Sequence, residues 1–394
     1  MRQLLGIALL LAIGLVVSHR WFGKVKVWGT QRFFFLTGEE FLLLGLLLGP
    51  QATGLIDQGT LNGLEPFVGL GLGYVGLVFG MQFRARELAQ VPPRYYLATS
   101  LQNGIAGTVL AAALAVVLGI AVPGTKLPLV LAGVATALGS STSFLFHLDR
   151  RTRLGRSEMF RFMRFSSVFD DLFGVVLFGA ALCLMHRAGP LGEALPALQW
   201  LAVSVLLGLA SGALLLWVAR MGLGEREELL VLLGMVLFTG GLATHLKLSP
   251  VFTNLVAGML FANLDRRVVR YHEALLTVEK PIYLFMLVLA GALWKVAWAG
   301  LPILLAVYVA SRAAGKYAGG IGAALVIGAG RAPGRHLGLG LSAQSEMSVV
   351  MAINLLLLHQ TTQGVSLLVS AIFLAMIIHD LTSSAYYAYG SRRG

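Results

Sequence analysis

The sequence predicts an all-α polytopic membrane protein, and three observations lead to that fold class. Only 12% of its 394 residues are charged and 57% are hydrophobic, whereas a soluble domain usually carries about 25% charged residues. Apolar runs of about 20 residues, enough for a helix to cross a bilayer, recur along the whole chain. The single cysteine, Cys183, cannot form an internal disulfide. A soluble enzyme, a disordered chain and a disulfide-stabilised secreted domain are therefore excluded.

Thirteen apolar segments are long enough to cross the membrane, and we predict a helix for each. The first could be read as a signal peptide, but no small-residue cleavage site precedes Ser18, so we expect a retained helix. No linker is long enough to hold a domain and only 388–394 follow the last segment, so we expect no soluble regulatory domain. The segments are 3–18, 33–50, 66–82, 95–119, 128–149, 165–185, 198–219, 228–246, 248–264, 280–298, 301–328, 338–359 and 366–387.

Lysine and arginine residues fall mainly on one side of this thirteen-span arrangement. Of the 30 basic residues, 23 lie in loops after odd-numbered spans or at the C-terminus, 5 lie on the other side, and Arg312 and Lys316 lie inside a span. The positive-inside rule then places the N-terminus outside and the C-terminus in the cytoplasm. The net charge of +12 therefore indicates orientation, and we expect no nucleic-acid partner.

Thirteen spans also allow two six-helix halves joined by one linker helix. Residues 1–185 would form the first half, 186–227 the linker region and 228–387 the second half. Equivalent spans are then seven apart, an odd offset that inverts the second copy, as in many secondary transporters. The fifth and twelfth spans each contain a glycine close to a serine-rich stretch, at 139–143 and 340–345. We predict that both helices are broken there and cross near mid-membrane.

Ionisable side chains inside the predicted spans are few, and such groups are costly to insert and usually functional. At about 1.5 Å per residue, Asp171 and Lys316 each lie about 22 Å from the outer end of their helices. Glu346 and Asp380 fall at about 20–21 Å by the same measure. Four charges on four helices therefore share one layer. The complete set is Glu39, Glu40, Asp170, Asp171, Arg312, Lys316, Glu346 and Asp380.

This layer predicts a site at which a proton and a cation can be exchanged. Asp170 and Asp171 point about 100° apart on a helix, so one can pair with Lys316 while the other faces a water-filled cavity. The second carboxylate can exchange its proton for a hard monovalent cation, for which oxygen atoms are suitable ligands. Further oxygen atoms would come from the hydroxyl groups of Ser140, Ser141 and Thr142.

Structural roles are the alternative for several of these charges. A Lys–Asp pair can act as a clamp inside a helix bundle, and an isolated acid can bond a neighbouring backbone. Asp380 and Arg312 fit such structural roles. Glu39 and Glu40 can face either a dimer partner or a cavity wall, whereas Glu346, flanked by serines, is assigned to the site.

Four short motifs follow one another along the chain. Residues 45–50 read GLLLGP, 168–177 read VFDDLFGVVL, 312–320 read RAAGKYAGG and 342–346 read SAQSE. They resemble the GxLLGP run, the DD helix, the G-K-x-x-G stretch and the PRGE segment of the cation/proton antiporter superfamily, in its Kef-like and sodium/proton antiporter branch. The resemblance extends over essentially the whole chain.

The resemblance implies electrogenic exchange of Na⁺ or Li⁺ for protons by alternating access, without a cofactor. Cation and protons would compete for Asp171 and Asp170, with the monovalent cation at Asp171 and with Asp170 paired to Lys316 in the unloaded state. A rigid six-helix core would move against a dimerisation domain, in a homodimer surrounded by the lipid of a prokaryotic-type inner (plasma) membrane. The supporting residues would be Ser140, Ser141, Thr142, Glu346 and Gln344.

Departures from the family pattern keep other functions open. Gln344 stands where the family usually has arginine. The glutamate of the second span usually lies four residues before the glycine that corresponds to Gly45, and Glu40 lies one residue earlier than that. Both departures bear on ion selectivity. A potassium/proton antiporter or efflux protein shares the fold, although its ligand-gated type carries a cytosolic nucleotide-binding domain that we do not expect here. An intramembrane aspartyl protease would need Asp380 as its second acid on a separate helix. A non-transporting membrane scaffold is the third alternative.

Overall fold

Helices make up the fold in the part of the chain that the structure describes. The computed structural model describes residues 39–123, 127–141, 145, 158–186, 196–221, 225–265, 268–328, 337–359, 362 and 364–390. The predicted span at 3–18 lies outside these residues. The helices are α1 (Glu39–Leu48), α2 (Gln58–Gly80), α3 (Ala85–Leu88), α4 (Pro93–Ala121), α5 (Leu127–Leu138), α6 (Glu158–Met185), α7 (Ala197–Ala219), α8 (Glu225–His245), α9 (Pro250–Leu264), α10 (Val268–Leu293), α11 (Leu301–Val326), α12 (Glu346–His359) and α13 (Val365–Gly390).

The chain divides into two compact units, each assembled from separate stretches of sequence. The first unit contains the described residues of 1–88 and 182–295 together with Leu356–Leu358. The second unit contains the described residues of 89–181, 296–355 and 359–394. Each unit therefore combines helices from the first and the second half of the sequence.

Close contact between α2 and α9 organises the first unit. The Asp57 side chain caps α2 by accepting a hydrogen bond from the Thr60 backbone N–H at 2.7 Å. Further along α2, a Cβ on Gly76 would overlap the Val251 carbonyl oxygen of α9. Glycine at this position lets the two backbones approach closely, as small residues do between membrane helices.

In the second unit, α4 and α11 pack against each other along much of their length. A Cβ on Gly319 would lie 2.7 Å from the Gln102 carbonyl oxygen, so the backbones are nearly in contact there. Gly300 starts α11 with a φ of +78°, a left-handed conformation that glycine adopts without strain. The close approach places Gln102 of α4 against Gly319 of α11.

The chain leaves helical structure after α5 and again before α12, and the two extended stretches cross. Ser140 and Gln344 form an antiparallel bridge, and the Ser141 N–H donates to the Ala343 carbonyl at 3.0 Å. Glycine and serine are weak helix formers, and serine side chains compete for backbone hydrogen bonds, which explains the break at both stretches. The predicted pair of broken, crossing helices is confirmed.

Three helices, α2, α6 and α10, begin seven or more residues earlier than predicted. Helices α2 and α10 begin at Gln58 and Val268, whereas the predicted spans begin at 66 and 280, and the helices contain Pro66 and Pro281. Neighbouring helices and local adjustments make proline tolerable inside membrane helices. Helix α6 begins at Glu158, whose carboxylate pairs with Arg94 at the start of α4. This charged first turn is less apolar than the span that the hydropathy pattern marked.

Five of the described helices, α2, α4, α6, α7 and α10, are long and apolar enough to cross a membrane. Large apolar side chains remain exposed on the protein surface, and extended apolar surface of this kind marks contact with lipid or another protein. Along α4 and α7 these side chains include Leu97, Val116, Ile120, Leu198 and Leu206.

Candidate ion-binding site

Asp170 and Asp171 are neighbours in the middle of α6, and both are buried, with exposed fractions of 0% and 5%. Successive residues of an α-helix point about 100° apart, so the two carboxylates face different parts of the second unit. The side chain of Asp170 reaches α4, α11 and the extended stretch after α5, whereas that of Asp171 reaches the start of α12.

Asp170 is held by several side chains. Lys316 of α11 places Nζ 2.6 Å from Asp170 Oδ2, and both groups are buried. Ser140 Oγ accepts a hydrogen bond from Lys316 Nζ at 2.9 Å and lies 2.7 Å from Asp170 Oδ2 as a donor. Gln102 Nε2 and Ser166 Oγ each approach the carboxylate to 3.3 Å. A buried charge is tolerated only when it is paired and hydrogen-bonded, and Asp170 meets both conditions.

Asp171 has a sparser environment. Ser345 Oγ donates to Asp171 Oδ2 at 2.8 Å. Asp171 Oδ1 is buried and has no hydrogen-bond partner among the described residues. Gly139, in the extended stretch after α5, packs directly against this oxygen, and a Cβ at that position would overlap it. The carboxylate therefore keeps one oxygen available in a buried setting.

Arg312 lies one helical turn before Lys316 on α11, so both side chains leave the helix on the same side. Its guanidinium donates to the carbonyl oxygens of Ala137 at 2.6 Å, Gly139 at 2.8 Å and Ala343 at 3.1 Å. These carbonyls belong to the two stretches where α5 ends and the chain enters α12. Arg312 thus joins both broken helices and brings a positive charge to carbonyl groups at their interrupted ends.

Gln344 occupies the position at which the sequence comparison expected an arginine. Its Nε2 donates to the Thr136 carbonyl at 3.2 Å and lies 3.1 Å from the Tyr308 hydroxyl. Gln344 Oε1 is buried without a hydrogen-bond partner among the described residues. The guanidinium that contacts both crossing stretches comes from Arg312 of α11, not from this position.

Of the predicted site residues, the structure brings Asp170, Lys316 and Ser140 into one hydrogen-bonded group. Ser141 is buried, and Glu346 is half-buried at the start of α12, directly after Ser345. Thr142 lies outside the described residues. Away from this group, Glu39 and Glu40 lie in α1 of the first unit, and Asp380 lies in the last part of α13, where side chains are outside the description.

Several residues at the site were not selected from the sequence. Gln102 carried one signal, because amide side chains are unusual within the apolar run of α4. Ser166 carried another, since it lies one turn before Asp170 on the same face of α6. Arg312 was expected to be structural, and its contacts with three backbone carbonyls show what it holds together.

The arrangement separates two adjacent acids by their partners. Asp170 is neutralised by a buried lysine, whereas Asp171 has only a hydroxyl donor among the contacts of the described residues. Taking an unpaired carboxylate out of water is costly, so Asp171 is stable there with a bound proton or with a bound cation. One carboxylate that holds either species is the chemical requirement for exchange between them.

The family model described as sodium/hydrogen exchanger, transmembrane, matches residues 40–387. Among solved structures, the chain is similar to the sodium proton antiporter MjNhaP1 from Methanocaldococcus jannaschii. The two are 17% identical, the alignment covers 98% of each chain, and the TM-score is 0.64. At this identity the similarity shows a shared fold. No curated protein matches the chain.

Proposed function

Because the chain belongs to the sodium/hydrogen exchanger family, and is therefore a cation/proton antiporter and not an enzyme, we propose that it exchanges Na⁺ or Li⁺ for protons at Asp171. The observation that carries this proposal is the contrast between two neighbouring carboxylates. Asp170 is paired with Lys316, whereas Asp171 keeps one buried oxygen without a partner among the described residues.

Competition for one carboxylate couples the two ions. When Asp171 loses its proton, the buried negative charge attracts a cation, whose oxygen ligands include the carboxylate. When a proton returns, the neutral acid no longer holds the cation. Protons and sodium therefore oppose each other at the site, and a lower pH raises the sodium concentration needed for half-maximal exchange.

The ion pair gives a route to electrogenic exchange. If a cation bridges both carboxylates, it displaces Lys316 from Asp170, and the lysine releases its proton to water together with the proton of Asp171. Two protons then leave for each cation that binds, so each cycle moves net charge. With Asp171 alone, one proton would leave for one cation and the exchange would be electroneutral.

Alternating access completes the proposal. The second unit, which contains the site, would move as a core and expose Asp171 to one side of the membrane at a time. The first unit would supply the contact in a homodimer, and the two six-helix halves would be inverted copies. The excess of basic residues in one set of loops supports a cytoplasmic C-terminus in a prokaryotic-type plasma membrane.

Everted membrane vesicles from cells without their own sodium/proton antiporters test the proposal. An imposed pH gradient should collapse when sodium is added to vesicles that contain the native chain, and should persist with Asp171→Asn. Asp57→Asn is the matched control, because it removes a carboxylate in the first unit while asparagine still caps α2. Full exchange by Asp171→Asn at native expression would refute the assignment.

Parallel additions of sodium, lithium and potassium identify the cation. We expect responses to sodium and lithium that exceed the response to potassium. A response to potassium alone would replace the proposal with potassium/proton exchange on the same fold. A folded protein that responds to none of the three ions would favour a membrane scaffold.

A further inference from the structure

The oxygen atoms around Asp171 include two hydroxyl groups from one turn at the start of α12. Ser345 and Ser348 are three residues apart, so their side chains lie on neighbouring positions of the same side of that turn. Both are buried, with exposed fractions of 1% and 0%. Helix α12 therefore presents neutral oxygen atoms to the carboxylate from outside α6.

Ser345 has a fixed role in this group. Its Oγ accepts a hydrogen bond from the Met347 N–H at 3.1 Å and donates to Asp171 Oδ2 at 2.8 Å. The single hydroxyl proton is thereby directed at the carboxylate. This contact holds Asp171 Oδ2 at the start of α12 and leaves Oδ1 on the other side of the carboxylate.

Ser348 Oγ and Asp171 Oδ1 are both buried without a hydrogen-bond partner among the described residues. Both also adjoin Gly139: a Cβ there would lie 3.5 Å from Ser348 Oγ and would overlap Asp171 Oδ1. Buried polar atoms are normally hydrogen-bonded, and each exception requires an explanation. Two such oxygens next to the same glycine indicate the position of a ligand.

We propose that Ser348 Oγ is a ligand of the transported cation and that Ser345 is a positioning residue that turns Asp171 Oδ1 towards the same ion. The inference rests on the proposed exchange at Asp171 and assigns ion preference to α12. A hydroxyl oxygen and a carboxylate oxygen are hard ligands, which suit Na⁺ and Li⁺. Gly139 supplies the room for the ion by having no side chain.

The test is the sodium and lithium dependence of exchange by Ser348→Ala in proteoliposomes. Loss of one ligand to a charged group should raise the KM for sodium about tenfold while the maximal rate changes little. The ratio of the KM values for sodium and lithium should also change, because the two ions differ in size. A serine that only packs would not alter this ratio.

Two further variants isolate the effect of the Ser348 hydroxyl on the KM values. Ser348→Thr keeps the hydroxyl and should restore most of the sodium affinity, and Ser345→Ala should raise the KM for both ions to a similar degree. Ser211→Ala is the matched control, since Ser211 is a buried helical serine of the first unit whose hydroxyl bonds Leu207 within its own helix.

The outcomes separate this inference from the proposed function. Native KM values and a native sodium-to-lithium ratio in Ser348→Ala, with normal exchange by the native chain, would overturn the role of Ser348 and leave exchange at Asp171 in place. Absence of sodium/proton exchange by the native chain would refute the proposed function. If Ser348→Ala fails to fold, Ser348→Cys takes its place, because it replaces the hard hydroxyl oxygen with a softer sulfur at similar size. Native KM values and a native sodium-to-lithium ratio in Ser348→Cys would then overturn the role of Ser348.

Discussion

The surroundings of Asp170 and Asp171 differ although the two residues are adjacent, buried and chemically identical. Asp170 contacts Lys316, Ser140, Gln102 and Ser166, which come from four different parts of the second unit. The carboxylate of Asp171 receives one hydroxyl hydrogen bond, from Ser345. A turn of about 100° along one helix is enough to place one acid in an ion pair with Lys316 and the other beside a single hydroxyl donor.

This difference separates stability from exchange. Breaking a buried ion pair by removing one partner is strongly destabilising, because the other charge remains buried without compensation. Removing a charge that has no oppositely charged partner carries no such penalty. We therefore expect Asp170 to contribute mainly to the fold of the site and Asp171 to contribute mainly to transport.

The largest expected effect is on stability, and it tests the comparison directly. Asp170→Asn leaves Lys316 buried without its partner and should lower the free energy of unfolding by about 3–5 kcal/mol. Asp171→Asn should lower it far less. Thermal unfolding of the purified proteins in detergent measures both changes.

A double variant provides the control for that prediction. Asp170→Asn combined with Lys316→Met removes both charges and should recover most of the lost stability, since no unpaired charge remains. An equally unstable double variant would show that the cost came from packing and not from the ion pair.

Arg312→Gln should have the next largest effect. It removes a charged donor from three carbonyl oxygens at the crossing stretches, and should lower the free energy of unfolding by about 2–3 kcal/mol. Exchange should slow because Gly139 and Ser345 then lose their fixed positions around Asp171. Arg312→Lys, which keeps one donor group and the charge, should recover part of both properties. Native stability and rate in Arg312→Gln would contradict the role assigned to Arg312.

Gly139→Ala tests the open side of Asp171. The new Cβ would overlap Asp171 Oδ1 and push the carboxylate away, so the KM for sodium should rise about tenfold. The ion pair between Asp170 and Lys316 should be little affected. Gly104→Ala is the matched control, because a Cβ there would meet nothing within 4 Å. Equal KM values in the two variants would place the cation elsewhere.

Ser140→Ala should have the smallest effect of the four. It removes one hydroxyl between Lys316 and Asp170, which remain in direct contact, and should cost about 1 kcal/mol of unfolding free energy. The KM for sodium should stay close to native. A large rise in KM would contradict this expectation and would show that the Ser140 hydroxyl itself binds the cation.

Much of the fold followed from the sequence because membrane helices leave a strong local signal. Apolar length predicted each of the described helices except the short α3, and the glycine–serine stretches predicted the breaks near Ser140 and Gln344. The starts of α2 and α10 were not predicted, because their first turns precede the apolar runs and each helix contains a proline. Proline usually ends a helix, and only the contacts of neighbouring helices permit Pro66 and Pro281 inside one.

The site was predictable only in part. An acid or a lysine inside an apolar span stands out by its cost, which selected Asp170, Asp171 and Lys316. Which acid pairs with the lysine depends on how α6 is rotated against α11, and no local pattern records that angle. The family resemblance named Asp170, and in the structure Asp170 is the acid beside Lys316. Gln102 and Ser348 are neutral residues whose contribution depends on how closely the helices and the crossing stretches approach one another.

Proton release on sodium binding tests most directly the claim that Asp171 holds either ion. Sodium is added to purified protein in weakly buffered solution, and the pH change gives the number of protons released. The native chain should release protons in proportion to the sodium bound, and Asp171→Asn should release none, whereas Ser140→Ala should behave like the native chain. Undiminished proton release by Asp171→Asn would contradict the account.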